Sequence, residues 1–161
     1  MIKTNDKGKI LVDSKTGLNV LFVCTGNTCR SPMCAALFNS VYGCEMVRAD
    51  SAGLFADGSP VSKNAVEALK DSGITLSPAQ KSRMVTEDDI KKADIVVCVT
   101  RSHSINLINR FPQYADKIGY MPYEITDPFG GDIDVYKRCL EDIKKSMGSI
   151  FETAADGETT E

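Results

Sequence analysis

From residue 18 onward the chain alternates between two hydrophobic rhythms. Leu18–Cys24, LNVLFVC, is a nearly unbroken run of β-formers, as expected of a strand covered on both faces. The pattern then changes. In SPMCAALFNSVYG, residues 31–43, Met33, Leu37 and Val41 recur four apart with Ala36 and Phe38 beside them, the period of an amphipathic helix. Ser31 stands where an N-cap belongs, Pro32 at the first helical position and Gly43 just past the end. The same alternation repeats downstream. EMVRADSAG (45–53) reads as a short strand running into a turn. SPVSKNAVEALKDSGI (59–74) reads as a helix, with Val61, Ala65, Ala68 and Leu69 on one face and Gly73 as its stop. Thr86 caps a short helix in SRMVTEDDIKKAD (82–94). DIVVCVT (94–100) is another buried strand, RSHSINLINRFP (101–112) a helix ended by Pro112, and KIGYMP (117–122) a fourth short strand. The last helix lies in DVYKRCLEDIKKSMGSIFE (134–152), where Tyr136, Leu140, Ile143, Met147 and Ile150 follow helical spacing.

Strands that alternate with helices build right-handed βαβ units. The expected fold is α/β: a three-layer α/β/α domain over residues 18–151 with a four-stranded parallel sheet. Such sheets bind ligands outside the carboxyl ends of their strands, and Cys24 is the last residue of the first strand. Residues 1–17 are polar apart from ILV and read as a loosely held extension or a small added strand. Residues 152–161 read as a disordered acidic tail.

Composition narrows the classes. A length of 161 residues suits one core, and 42% hydrophobic with 25% charged residues are ordinary globular values. The formal charge of -3 offers no basic field for nucleic acid. No apolar run approaches the ~20 residues that cross a bilayer, and the N-terminus carries no apolar leader region. A cytoplasmic monomer with no nucleic-acid or membrane partner is the expectation. Six cysteines in such a chain point to free thiols rather than a disulfide framework. Cys34, Cys98 and Cys139 sit in apolar or helical contexts and read as core residues. No C-x-x-C pair occurs and His103 is the single histidine, so a zinc site is not expected. His103 itself, at a helix start, reads as a surface or cap residue.

The chemistry concentrates in VLFVCTGNTCRSPM, residues 20–33. A loop joining a strand end to a helix start converges backbone N–H groups and the positive end of a helix dipole on one point, which makes an anion site. Gly26 and Asn27 tolerate the positive φ angles of a tight cradle. Arg30 supplies a planar fork for two oxygens of a phosphoryl group. Ser31 is placed to cap the helix and reach back to the Cys24 sulfur. A thiol in this cradle is expected to ionise below its free value of ~8.5 and to attack phosphorus while the loop holds the other oxygens. The loop residues Thr25, Gly26, Asn27, Thr28, Cys29 and Ser31 form the candidate phosphate site. A proton donor for the leaving group must come from elsewhere. The carboxyl in TDPFGG (126–131) suits that role, because Asp127 is stiffened by Pro128 and followed by Gly130 and Gly131.

The stretch VLFVCTGNTCRSPM resembles the active-site loop of the low-molecular-weight protein-tyrosine phosphatases. The resemblance extends over residues 18–151 through DSAG (50–53), VTEDDIKKADIVVCVT (85–100) and TDPFGG. It implies Cys24 as nucleophile, Arg30 as phosphoryl binder, Asp127 as general acid, a shaping network of Asn27, Ser31 and Ser51, and no metal or organic cofactor. The implied partner is a phosphorylated protein.

Two departures bear on the substrate. Tyrosine-directed members usually carry a large aliphatic residue where this chain has Thr28, and often two aromatics after Asp-Pro where this chain has Phe129 and Gly130. Both features resemble the bacterial protein-arginine phosphatase branch. A threonine leaves room and offers a hydroxyl, and Asp127 could pair with a guanidinium in two-pronged fashion, so phosphoarginine is favoured over phosphotyrosine. Gln80 stands near where many relatives have a histidine. Cys29 is either a small loop filler or the partner of a protective disulfide with Cys24. The alternatives are a thioredoxin-coupled arsenate reductase, which needs a downstream relay pair of cysteines where this chain offers Cys98, and a non-catalytic phosphate or phosphopeptide binder, which has no need of both Cys24 and Asp127.

Overall fold

The computed structural model describes residues 2–155. Its central sheet has four parallel strands: β2 (Leu18–Cys24), β3 (Val47–Gly53), β4 (Ile95–Cys98) and β5 (Ile118–Tyr120), in the order β3-β2-β4-β5. The helices are α1 (Arg30–Tyr42), α2 (Lys63–Asp71), α3 (Glu87–Lys92), α4 (Arg101–Arg110) and α5 (Ile133–Ile150), with a 3-10 turn at Pro112–Lys117. The α/β expectation holds element by element.

The central strand explains why both faces must be covered. In β2, Val20, Phe22 and Cys24 point into a core shared with Met33, Leu37 and Phe38 of α1, Ala65 and Leu69 of α2 and Leu140 and Ile143 of α5. Leu21 and Val23 point into a second core with Ile90 of α3, Leu107 of α4 and Ile118. Successive strand side chains alternate between faces, so an unbroken apolar run is what a sandwiched strand requires. Phe22 and Phe38 are fully buried, with ring centroids 6.0 Å apart. Removing each from water is worth roughly 1.5–3 kcal/mol.

A second, two-stranded sheet joins an early segment to a late one. β1 (Ile10–Val12) pairs in parallel with β6 (Phe151–Thr153), Ile10 opposite Phe151. Phe151 packs edge-on against Phe38 at 5.1 Å between centroids. The acidic segment expected to be disordered from residue 152 therefore begins with two strand residues, Glu152 and Thr153. Their backbone pairing to β1 overrides the polar composition. Residues 156–161 of that segment lie outside the described residues.

The start and stop signals of the later helices hold, and those at the start of α1 do not. Thr86 and Thr100 each form a capping box with the third residue of the helix that follows, Asp89 and His103. Gly73 takes φ 77° just after α2. Ser31, however, is not a cap: α1 starts two residues earlier than expected, with Cys29 at its N-cap and no side-chain cap bond, so Ser31 and Pro32 are its second and third residues, and Val41, expected on the apolar face, is exposed. Among Gly26 and Asn27, the positive φ belongs to Asn27 alone, at 58°.

Candidate active site

The first strand of the sheet delivers Cys24 to its carboxyl edge, opposite Gly53 of β3. The loop 25–29 folds over that edge. The carbonyls of Cys24, Thr25 and Thr28 accept from the amides of Leu54, Phe55 and Ser62 at 3.0, 2.9 and 2.9 Å. Gly53 makes this approach possible, since a Cβ there would sit 2.7 Å from the Thr25 carbonyl oxygen and 3.0 Å from Asn27 Cβ.

Within the loop, groups converge on the sulfur. The Asn27 amide donates to Cys24 Sγ at 3.3 Å, and Ser31 Oγ lies 2.9 Å from it. The Asn27 side chain, 1% exposed, acts as a hub. Its Nδ2 donates to Ser31 Oγ at 2.8 Å and Ser51 Oγ at 2.9 Å, and its Oδ1 accepts from the Arg83 amide at 3.0 Å. These bonds explain two things. Ser31 is drawn inward and cannot cap α1, and a non-glycine residue at positive φ is held by two buried hydroxyls and one backbone amide. The Arg83 amide closes the network, while the Gln80 backbone carbonyl accepts from the Val61 amide instead.

Arg30 is buried and tied down: Nη1 donates to the Ile125 carbonyl at 3.1 Å, and Nη2 lies 3.8 Å from Asp127 Oδ2. The Asp127 side chain is half exposed, and its Oδ1 accepts from the Phe129 amide at 3.1 Å. A guanidinium and a half-exposed carboxylate thus face one space. Cys24, the loop 25–30, Asp127 and Phe129 line a cleft of about 680 Å³. All of the sequence-derived candidates come together there or directly behind it, as Ser31 and Ser51 do.

Several contributors escaped the sequence patterns. Phe55, exposed at the cleft wall, has the Arg110 guanidinium 4.6 Å from its ring centre. Asp57 and Asn64 also line the cleft. Tyr136, expected as a core position of the last helix, also puts its hydroxyl 3.2 Å from Cys29 Sγ, and burial together with that contact pushes its pKa up to about 12. His103 caps α4, one of the two roles expected of it, but it is not on the surface. It is 7% exposed, and its Nε2 lies 2.8 Å from Thr25 Oγ1. Burial, aided by Arg30 and opposed by Asp127, pulls its pKa down to about 4. Phe55 and Asp57 lie between β3 and α2 with no periodic pattern, and for the helical residues periodicity shows which face a residue occupies but not what lies across from it.

Cys34, Cys98 and Cys139 are buried in the two cores, and burial raises all three thiols, Cys98 and Cys139 to about 12. Among the described residues no group of three or more His, Cys, Asp or Glu side chains is placed to hold a metal ion, and no helix is long and apolar enough to cross a membrane.

The family model described as low molecular weight phosphotyrosine protein phosphatase matches residues 19–158. The chain belongs to this family of phosphoprotein hydrolases. A protein-arginine-phosphatase of Bacillus subtilis is 38% identical over 143 residues, covering 83% of this chain and 94% of its own. The solved low molecular weight protein tyrosine phosphatase from T. tengcongensis is also 38% identical, covers 83% of this chain and 97% of its own, and superposes with a TM-score of 0.75. An arsenate reductase of Brevibacillus brevis is 31% identical over 134 residues, 83% of this chain and 94% of its own.

Proposed function

We propose that the protein hydrolyses phosphorylated side chains of proteins through a cysteinyl-phosphate, with phosphoarginine preferred over phosphotyrosine. The observation that carries the reading is the convergence of Cys24 Sγ, the Arg30 guanidinium and the Asp127 carboxyl on one cleft, with Arg30 and Asp127 3.8 Å apart.

In this reading the Cys24 sulfur attacks phosphorus and the P–N bond to the substrate guanidinium breaks. Asp127 gives its proton to the departing nitrogen. The loop from Thr25 to Arg30 holds the three remaining oxygens, and Arg30 takes two of them with its fork. Water then attacks the cysteinyl-phosphate, Asp127 takes the proton, and the sulfur leaves as phosphate forms. Ser31 Oγ is placed to stabilise the sulfur in both steps. Ser51 and Asn27 act behind it by fixing Ser31.

The preference for phosphoarginine rests on Thr28 at the cleft wall, whose small polar side chain leaves space beside a guanidinium, and on Gly130 directly after Phe129, where a further ring from that loop would narrow the mouth. The similarity to an arginine phosphatase supports it. Peptides bearing phosphoarginine or phosphotyrosine, tested on wild type and Thr28→Ile, decide the matter. Wild type should prefer phosphoarginine, and the substitution should shift preference toward phosphotyrosine. A wild-type preference for phosphotyrosine that Thr28→Ile leaves unchanged overturns it.

An arsenate-reductase cycle needs accessible relay thiols after the first step. Cys98 lies fully buried in β4 and Cys139 is buried against the core, which favours the hydrolase. The six unpaired cysteines suit a reducing cytoplasm.

A further inference from the structure

His103 stands seventy-eight residues from the phosphate loop in sequence and touches it through Thr25. The hydrogen-bond geometry fixes which proton goes where. The Thr100 backbone amide lies 3.2 Å from His103 Nδ1 and can only donate, so Nδ1 is the acceptor. A neutral ring then carries its hydrogen on Nε2, and that N–H points at Thr25 Oγ1, 2.8 Å away. The Thr25 hydroxyl accepts this bond, so its own hydrogen must point elsewhere. Among the described residues His103 is its one side-chain partner, and Thr25 lines the cleft beside Cys24.

We propose that His103 is a positioning residue for substrate binding: held as the Nε2–H tautomer by the cap of α4, it locks the Thr25 hydroxyl as a hydrogen-bond donor to an oxygen of the phosphoryl group in the cleft. The ring is buried and tied at both nitrogens, so the orientation does not depend on substrate. The charges near His103 agree with a neutral ring. Burial and Arg30 disfavour a second proton, and Asp127 opposes them. A second proton would also set an N–H against the Thr100 amide and break that half of the capping box. A preset donor of this kind lowers the cost of ordering the hydroxyl when substrate arrives.

The proposal rests on the phosphatase reading, and the test keeps the two apart. Turnover of p-nitrophenyl phosphate by wild type, lost in Cys24→Ser, checks that reading alone. The proposal is checked by KM for that substrate and by competitive inhibition by inorganic phosphate in a set of variants. Thr25→Val should raise both KM and the inhibition constant about 3- to 10-fold, the range for losing one hydrogen bond, with kcat changed far less. Thr25→Ser, which keeps the hydroxyl, should restore both. His103→Asn retains an acceptor for the Thr100 amide but cannot reach Thr25, and it should match Thr25→Val. The double variant should be no worse than either single one. If phosphate inhibition is unmoved in Thr25→Val, or the two substitutions multiply, the proposal is wrong. So it is if His103→Asn lowers the melting temperature while KM stays at the wild-type value.

Discussion

Asn27 offers a sharp test of how the loop is held. It is buried, it carries the positive φ of 58°, and its side chain makes bonds to Ser31 Oγ, Ser51 Oγ and the Arg83 amide between 2.8 and 3.0 Å. Replacement by glycine removes all three bonds while suiting the backbone angle. At about 1 kcal/mol per bond, the loss is about 3 kcal/mol. Replacement by alanine removes the same bonds and adds the strain of a Cβ in the left-handed region, a further ~1–2 kcal/mol. For a chain of this size, 1 kcal/mol moves the melting temperature by about 3 °C. Asn27→Gly should therefore melt about 9 °C below wild type, and Asn27→Ala lower still by about 3–6 °C. Differential scanning calorimetry at neutral pH reads both numbers, and kcat/KM for p-nitrophenyl phosphate should fall in both because Ser31 loses its anchor. Should the two variants melt together within about 1 °C, the backbone angle contributes nothing; should both melt with wild type, the hub does not hold the loop.

Gly53→Ala places a Cβ against the Thr25 carbonyl and Asn27. Overpacking of this kind costs about 1–3 kcal/mol, and here the loop yields first, so kcat should fall more than tenfold while urea denaturation shows a smaller change; unchanged kcat contradicts this. Stability should carry a His103 signature in acid. Its pKa is about 4 folded and about 6.5 unfolded, so the unfolded chain binds the extra proton between those values. Stability from this group is complete above about pH 6.5 and is lost as pH falls toward 4. Urea midpoints at several pH values should show a shallower acid slope in His103→Asn, and an identical slope refutes the assignment. Mild peroxide should produce a Cys24–Cys29 disulfide detectable by mass spectrometry, protecting Cys24 from over-oxidation; sulfinic acid on Cys24 without the link refutes it. Lys137→Ala breaks the exposed bond between α5 and Asp71 of α2 and should leave the urea midpoint close to that of wild type, as solvent screening of exposed ion pairs implies; a large drop refutes this.

What the amino-acid order determined by itself was everything governed by near neighbours. The run LNVLFVC forces a strand covered on both faces, because adjacent side chains in a strand point opposite ways and here nearly all are apolar. Cys24 through Ser31 form one loop, so their convergence is written in consecutive positions, and Thr86 and Thr100 cap their helices through bonds that span three residues. Tertiary structure decided the rest. Asp127 reaches Arg30, Tyr136 reaches Cys29 and His103 reaches Thr25 across 78 to 107 residues, distances over which no local pattern carries information. Ser31 shows the two levels in conflict. Locally it is a cap, but three buried partners outweigh one amide bond, and the helix begins without it. Glu152 and Thr153 are polar and flexible by composition, yet they form a strand because β1 lies alongside.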